Sequence, residues 1–451
     1  MSFARSAEPA VLETSMTTGR FGRYTILACD PVEEFVASAS ESQCAFHSFA
    51  SRAASYPHVR CPGADIPFFG GWVGFFTYEA GLGIERIHRR PRVDADVPRA
   101  GFRLYDSAAV YDHFTDTWYV TAVDWQPPIS RRRPSARSRL ASLRAKLQKA
   151  ACAATPPLCR PWTSSEPVPN MSIQAYLAKV ARAARHIEAG DIYQVNLTQR
   201  WTGRTGATPL ELYRRLRKTS PSSHAALLPW GNFAVISASP ELFLELRDGH
   251  VVTRPIKGTR PRIGDPVVDE ASRLELTTSD KERAELAMIV DLERNDLGKV
   301  CSYGTVRVTE VGSVEQHPTV FHRVATIEGD LQPGRDWLDL LLATCPGGSV
   351  TGAPKIRAMQ IIDELEPTPR GVYCGSIGVI GLDGSMSFNV AIRTMLHTGN
   401  VVHIHAGGAI VADSVPGQEY DETLAKAAGM LRALQCPTTA SYRGRDRVAM
   451  L

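Results

Sequence analysis

The chain has no long apolar run. Nowhere does it approach the roughly 18 uninterrupted apolar residues that a membrane helix needs. Its opening residues, MSFARSAEPAVLETS, hold no signal-peptide core. Its nine cysteines are an odd number and form no CxxC pair. That speaks against a disulfide framework or a zinc site and for reduced thiols in a cytoplasmic protein. The net charge is only +4, and much of the excess lies between Arg131 and Lys149. No basic stripe is interleaved with aromatics, so nothing here reads as a nucleic-acid surface. Internal repeats and long low-complexity tracts are also missing.

At 451 residues, with 43% hydrophobic and 22% charged residues, the chain is an ordinary globular protein long enough for a large core. Residues 1–125 read as strands and loops. Arg23–Cys29 is a β-type run, and Asp112–Thr117 is a turn between two strands. The segment FFGGWVGFFTY, Phe68–Tyr78, is aromatic core punctuated by glycine. Residues 126–170 are rich in proline and arginine and hold one basic helix, so they form the best candidate boundary. From 171 to 436 strands mix with helices without βαβ alternation, which favours α+β over a doubly wound parallel sheet. Strands are expected at 192–201, 233–246, 304–311 and 320–328. Helices are expected at 280–292, 336–344, 354–365 and 418–434, and another, capped by Asn170 or Ser172, is ended by Gly190. Residues 437–451 read as a tail.

The stretch TRPIKGTRPR, Thr253–Arg262, holds Lys257 between two prolines and ahead of Gly258. Prolines stiffen the backbone, and glycine allows close approach. A desolvated lysine loses its proton near neutral pH and becomes a nucleophile. Read alone, the stretch fits a basic surface loop better. Glu282 and Glu285 stand three residues apart on an expected helix that is apolar nearly all round; two buried carboxylates needing a partner, or one surface glutamate and one ion-paired one, both fit. Glu419, Glu422 and Lys426 share one helical face opposite Leu424, Ala427, Ala428 and Leu431, as a plain solvated face also would. Two such glutamate pairs brought together would suit Mg²⁺, which takes few carboxylates and keeps waters.

CPGGSVTGAPK, Cys345–Lys355, is a glycine-rich loop opening a helix, where free N–H groups attract anions. It does not match a nucleotide P-loop. His405-Ala-Gly-Gly-Ala follows the strand Val401–Ile404 and fits either ligand approach to the backbone or a tight turn. Arg393, in the strand-like NVAIRTM, can grip a carboxylate or make a structural ion pair. His322 is a lone strand histidine. Together these residues permit an enzyme acting on a small anion with a divalent cation, without specifying the reaction.

Taken together, IYQVNLTQRW, SPELF, PIKGTRPR, DKERAELAMIVDLERND, CPGGSVTGAPKIRAMQIIDELEP, RGVYCGSIG, NVAIRT, HAGGAIVADS and EYDETLAKA resemble the motifs of the chorismate-utilising enzymes, in content and order. The resemblance covers about Ser172–Leu434 closely. It extends to the N-terminal part through LETS, GRYTIL and PFFGGWVGFFTYE. It implies an α+β fold of two large antiparallel sheets packed together, with helices outside and a cleft between them. It also implies Mg²⁺-dependent chorismate binding. Position by position, Glu285 and Glu422 match the metal ligands, with Glu282 and Glu419 holding metal-bound water. Tyr373, Arg393 and the backbone at Gly407 and Gly408 match the grip on the pyruvyl carboxylate. Lys426 matches a carboxylate-binding lysine. Thr351 and Gly352 match a substrate-contacting turn, and His322 the histidine near the C4 hydroxyl.

Within the family, anthranilate synthases typically read PIAGT where aminodeoxychorismate synthases read PIKGT, and this chain has Lys257. The resemblance therefore implies attack of Lys257 on chorismate C2, with Glu241 of SPELF as general acid/base. Gln199 stands in the region where water-adding relatives carry a lysine. One departure is Ala284-Glu285-Leu286, where the family commonly reads AEH. No glutaminase motif is found, so ammonia is expected from a separate glutaminase subunit. The N-terminal region also resembles one that binds tryptophan in this family, around Glu13-Thr14-Ser15.

Overall fold

The computed structural model describes residues 7–15, 22–38, 44–60, 66–85, 87, 97–125, 133–152, 162–317 and 320–435. The expected tail and much of the expected boundary, 126–132 and 153–161, lie outside the described residues. All the named strands fall into two sheets, and every pairing is antiparallel.

The first sheet has 11 strands. Its path runs Gly352–Ala353, Gln194–Arg204, Val401–Ile410, Thr394–Thr398, Phe233–Ser239, His224–Trp230, Ala10–Glu13, Tyr24–Ala28, Ser107–Asp112 and Thr117–Ala122. The second has 10 strands. Its path runs Ile256–Pro261, Val320–Asp330, His250–Arg254, Leu242–Arg247, Met386–Val390, Ser376–Gly381, Gly71–Phe76, Ala100–Tyr105 and Glu33–Ala37. One strand lies off each path: Val168–Pro169 pairs with Gln194–Arg204 in the first sheet, and Arg307–Gln316 with Val320–Asp330 in the second. N-terminal strands thus lie inside both sheets. Gly71–Phe76 pairs along its whole length with Ser376–Gly381, and Ala10–Glu13 pairs with His224–Trp230.

Strand periodicity builds the layers. In His224–Trp230, Ala226 and Leu228 pack with Val73, Phe75 and Val379 of the second sheet, so they face the space between sheets. Ala225 and Leu227 point the other way, to Leu212, Leu216, Ala427 and Met430 on the outer helices Pro209–Thr219 and Pro416–Leu434. Both faces of the strand are buried, which is why it reads as a continuous apolar run. On the far side of the second sheet, the Ala45–Ala53 helix inserts Phe46 and Phe49. Phe49 stacks on Phe102 at 4.1 Å and Phe46 on Phe76 at 4.3 Å. Each such ring contributes roughly 2–3 kcal/mol by leaving water.

The α+β expectation of two packed antiparallel sheets with outer helices holds. Ser172 caps its helix by accepting from the Ala175 N–H, and Gly190 follows that helix with φ +77°. The strand expected at 304–311 instead spans Arg307–Gln316. Among the described residues, four helices lie outside the expected set: Ala45–Ala53, Tyr78–Leu82, Pro209–Thr219 and Pro266–Thr278. Two of these carried plain start signals. Thr208 and Glu211 form a capping box with Pro209 in the first turn, and Asp265 caps the helix opened by Pro266.

Candidate active site

Ile256–Pro261 is an edge strand, where prolines are tolerated because one side needs no ladder. Its register against Val320–Asp330 shifts between Ile256 and Thr259, so Lys257 and Gly258 occupy a bulge. Gly258 has φ +91°, and a Cβ there would lie 2.5 Å from Glu282 Oε2. Only glycine fits this approach to the helix Asp280–Gly298. Lys257 Nζ donates to the Ser349 carbonyl at 3.4 Å. Burial lowers the Lys257 pKa; Glu285 pulls it back up, Lys426 pushes it further down, and Glu241 and Glu422 pull it up. The stretch is therefore no exposed basic loop. Arg254 is buried and bonds Thr326, Glu310 and Glu315, while Arg260 pairs with Glu275 and Glu282.

Glu241 sits at the corner between two strands and is 4% exposed. Its carbonyl accepts from the Val390 N–H at 3.1 Å, which fixes the corner. Burial pushes its carboxyl up to about 7, against the opposing pull of Ser349 and Lys257. Arg393 lies in the break between Met386–Val390 and Thr394–Thr398 with φ +49°, not within a strand as expected. Left-handed arginine is strained, and such strain concentrates at ligand sites. Burial lowers its pKa and Glu241 raises it.

His322 is 1% exposed. Its Nδ1 hydrogen-bonds Thr259 Oγ1 at 2.9 Å, and its Nε2 is buried with no partner among the described residues. Burial first, then Arg393 and His317, hold its pKa well below the usual imidazole range, so the ring is neutral.

The four glutamates converge in part. Burial raises Glu285, with Lys257 and Lys281 opposing and Glu422 adding to the rise, so Glu285 and Glu422 sense each other. Burial also pushes Glu422 up, but Lys426 at 2.5 Å brings it below its ordinary range. Glu419, 2% exposed, accepts from Ser414 Oγ at 2.7 Å. Lys281 lies 3.5 Å from Glu419 and 3.9 Å from Glu285. Glu282 accepts from Arg260 at 2.6 Å. Two faces differ from expectation. The Asp280–Gly298 helix exposes Ala284 and Ala287, so it is not buried all round. Leu424 is exposed while Glu419 is buried, so the Pro416–Leu434 helix turns its charged face partly inward.

The residues fit a cation that takes few protein oxygens. Among the described residues, Glu282 Oε2 and Glu419 Oε2 are buried without partners, and a Cβ on Gly408 would lie 3.2 Å from that Glu419 oxygen. Among the described residues, no three His, Cys, Asp or Glu side chains converge on one metal position. A cation here would complete its shell with water or substrate, as Mg²⁺ does.

Gly407 and Gly408 lie inside the strand Val401–Ile410, paired with Thr198 and Leu197, so they are not a turn. The Gly407 carbonyl accepts from Lys426 Nζ at 3.1 Å. Gly352 has φ +151° and pairs with Val195. Thr351 is fully buried, with its hydroxyl donating to Gly347 O at 3.0 Å. Tyr373 stacks on His405 at 5.2 Å.

Behind this turn lies a pair that sequence reading missed. Arg370 bonds Glu366 twice, at 2.7 and 2.9 Å, and the carbonyls of Val350 and Asn196. Glu366 also accepts from Thr198 N and Oγ1. The available signal was the opposite-charge pair four residues apart in EPTPR, Glu366–Arg370. Ser349 was missed as well. Its carbonyl meets Lys257 and Asn196 Nδ2, and it sits beside Glu241.

A half-buried lysine, a carboxyl poised near neutrality, a neutral histidine, a strained arginine and two glutamate pairs thus surround one region. Such a gathering of perturbed titratable groups marks a candidate enzyme site. The family model for chorismate binding enzymes matches residues 9–432. Aminodeoxychorismate synthase component 1 of Bacillus subtilis (strain 168) is 35% identical over 96% of this chain and 94% of its own. Anthranilate synthase component 1 of Streptomyces coelicolor is 39% identical over 94% of this chain and 83% of its own. The crystal structure of anthranilate synthase component I from Streptococcus pneumoniae TIGR4 superposes with a TM-score of 0.78 at 32% identity, covering 91% of this chain and 92% of that one. The chain belongs to the chorismate-binding enzymes, the family that holds anthranilate synthase and aminodeoxychorismate synthase component I. No described helix is long and apolar enough to cross a membrane.

Proposed function

We propose that the protein aminates chorismate at C4, giving 4-amino-4-deoxychorismate for p-aminobenzoate and folate synthesis. The observation that carries this reading is Lys257, a lysine whose burial lowers its pKa among Glu241, Glu285, Glu422 and Lys426. Its neutral amine attacks C2, both ring double bonds shift by one position, and the C4 oxygen departs with the displaced electron pair. Glu241, protonated below about pH 7, gives that oxygen its proton, and water leaves. His322 hydrogen-bonds the departing oxygen. Ammonia then forms the C4–N bond and the lysine leaves from C2. Arg393, Tyr373 and the backbone at Gly407 and Gly408 hold the pyruvyl carboxylate, with Lys426, Thr351 and Gly352 lining the rest. Glu285 and Glu422 would hold Mg²⁺, with Glu282 and Glu419 on its waters; the ion would polarise the ring carboxylate. Ammonia would come from a separate glutaminase subunit.

Anthranilate formation is the second reading, and the relatives by themselves favour it. The S. coelicolor relative is more identical than the B. subtilis one, and the S. pneumoniae structure bears that name. Lys257 favours the first reading because it offers a nucleophile in the site. The chain is incubated with chorismate, Mg²⁺ and ammonium at mildly alkaline pH, and the product is identified by mass and fluorescence. Aminodeoxychorismate is expected, convertible to p-aminobenzoate by added lyase. Anthranilate would replace the first reading with the second, and no consumption of chorismate would remove both.

A further inference from the structure

His322 has one ring nitrogen committed and one free. Thr259 stands directly opposite it across the strand pair, and their side chains meet at 2.9 Å through Nδ1. This opposition exists only because of the bulge at Lys257 and Gly258, since a one-residue change of register turns a side chain to the other face. The remaining nitrogen, Nε2, is buried and unpartnered. A neutral imidazole carries one hydrogen, so the bond at Nδ1 decides what Nε2 can do. A threonine hydroxyl can give or accept, but only giving leaves the hydrogen on Nε2. The other ring nearby, His317, packs edge-on at 5.0 Å and turns its own Nε2 to Glu315 at 3.5 Å. It supplies no alternative partner to Nδ1.

We propose that Thr259 is a positioning residue that fixes the tautomer of His322: its hydroxyl donates to Nδ1, leaving Nε2–H as a donor toward the departing C4 oxygen. The inference rests on the role given to His322 above. No proton is transferred by the histidine in this step. Nε2–H donates a hydrogen bond as the C4–O bond breaks, and the proton itself comes from Glu241. The neutral state that this arrangement needs is consistent with the burial of the ring and with the Arg393 charge beside it.

The test uses the full chain with ¹⁵N-labelled histidine. The signal of His322 among the twelve histidines is assigned by its loss in His322→Ala. The Nδ1 shift of an acceptor nitrogen and the Nε2 shift of a protonated one are expected. Thr259→Ser should keep both that signature and turnover. Thr259→Val should lose the signature and about 10–100-fold in kcat, the usual cost of losing a partner that fixes a histidine's tautomer, with chorismate binding little changed. A wild-type ring protonated on Nδ1 overturns the proposal. So does a Thr259→Val enzyme with unchanged kcat, or equal losses in the serine and valine variants. His322→Ala with full turnover would instead remove the role given to the histidine, while the nitrogen shifts still decide which way Thr259 donates.

Discussion

Glu241→Gln keeps the shape of a buried side chain and removes its titration. In the wild type, burial moves this carboxyl from its ordinary 4.5 up to about 7. The folded state therefore holds the proton more tightly than the unfolded chain does. The contribution to stability is fully present below about pH 4.5 and is lost as pH rises through about 7. At about 1.4 kcal/mol for each pH unit between those values, the ionised form costs about 3 kcal/mol at pH 8. Glutamine bears no such cost. In urea unfolding with chelator present, the variant should gain about 3 kcal/mol on the wild type between pH 4 and pH 8. Its turnover should fall by ~100-fold or more, the usual range for losing a general acid. A stability difference that stays constant from pH 4 to pH 8 would show that the carboxyl does not carry this burden, and the acid role would lose its physical basis.

Three further outcomes follow from the same geometry. Lys257→Ala should abolish most aminodeoxychorismate formation while chorismate still binds; unchanged product formation would remove the covalent step. Glu422→Gln should weaken both activity and Mg²⁺ dependence, since it alters a carboxylate coupled to Glu285 and Lys426; a superimposable Mg²⁺ titration would move the ion elsewhere. Gly258→Ala should lower the melting midpoint by the equivalent of about 1–3 kcal/mol, because its φ of +91° and the 2.5 Å approach to Glu282 both oppose a methyl group. A variant as stable as the wild type would mean that the bulge relaxes freely.

How much was legible depended on whether the signal was local. Ser172 and Gly190 marked their helix because capping is decided within a few residues. The strand His224–Trp230 hid its two faces because both are buried, leaving no alternation to read. The Pro209–Thr219 and Pro266–Thr278 helices were passed over although their capping residues stood in the sequence. The second of these keeps few side chains buried, so its pattern carries no apolar stripe facing a core. Gly407 and Gly408 fit either ligand approach or a tight turn, and pairing with Thr198 and Leu197, about 210 positions away, holds them extended. Arg393 looked like a strand residue, and its left-handed backbone is imposed by neighbours rather than by its own preference. The charged residues of the site were readable as types, yet their grouping was not. Lys281 reaching Glu419, Arg260 reaching Glu282, and Ser349 meeting Lys257 are contacts that only the folded chain creates.

The interleaving of early and late strands bears on how the molecule is made. Ala10–Glu13 leaves the ribosome early, but its partner His224–Trp230 follows some two hundred residues later. At roughly 5–20 residues per second, that is a wait of about 10–40 s. Gly71–Phe76 waits longer still, for Ser376–Gly381. Throughout that interval the aromatic strand GWVGFF presents an open backbone edge and greasy faces to the cell. Nascent chains of this protein are therefore expected to depend on chaperone holding until translation is nearly complete, and truncated transcripts to yield aggregates rather than half-molecules.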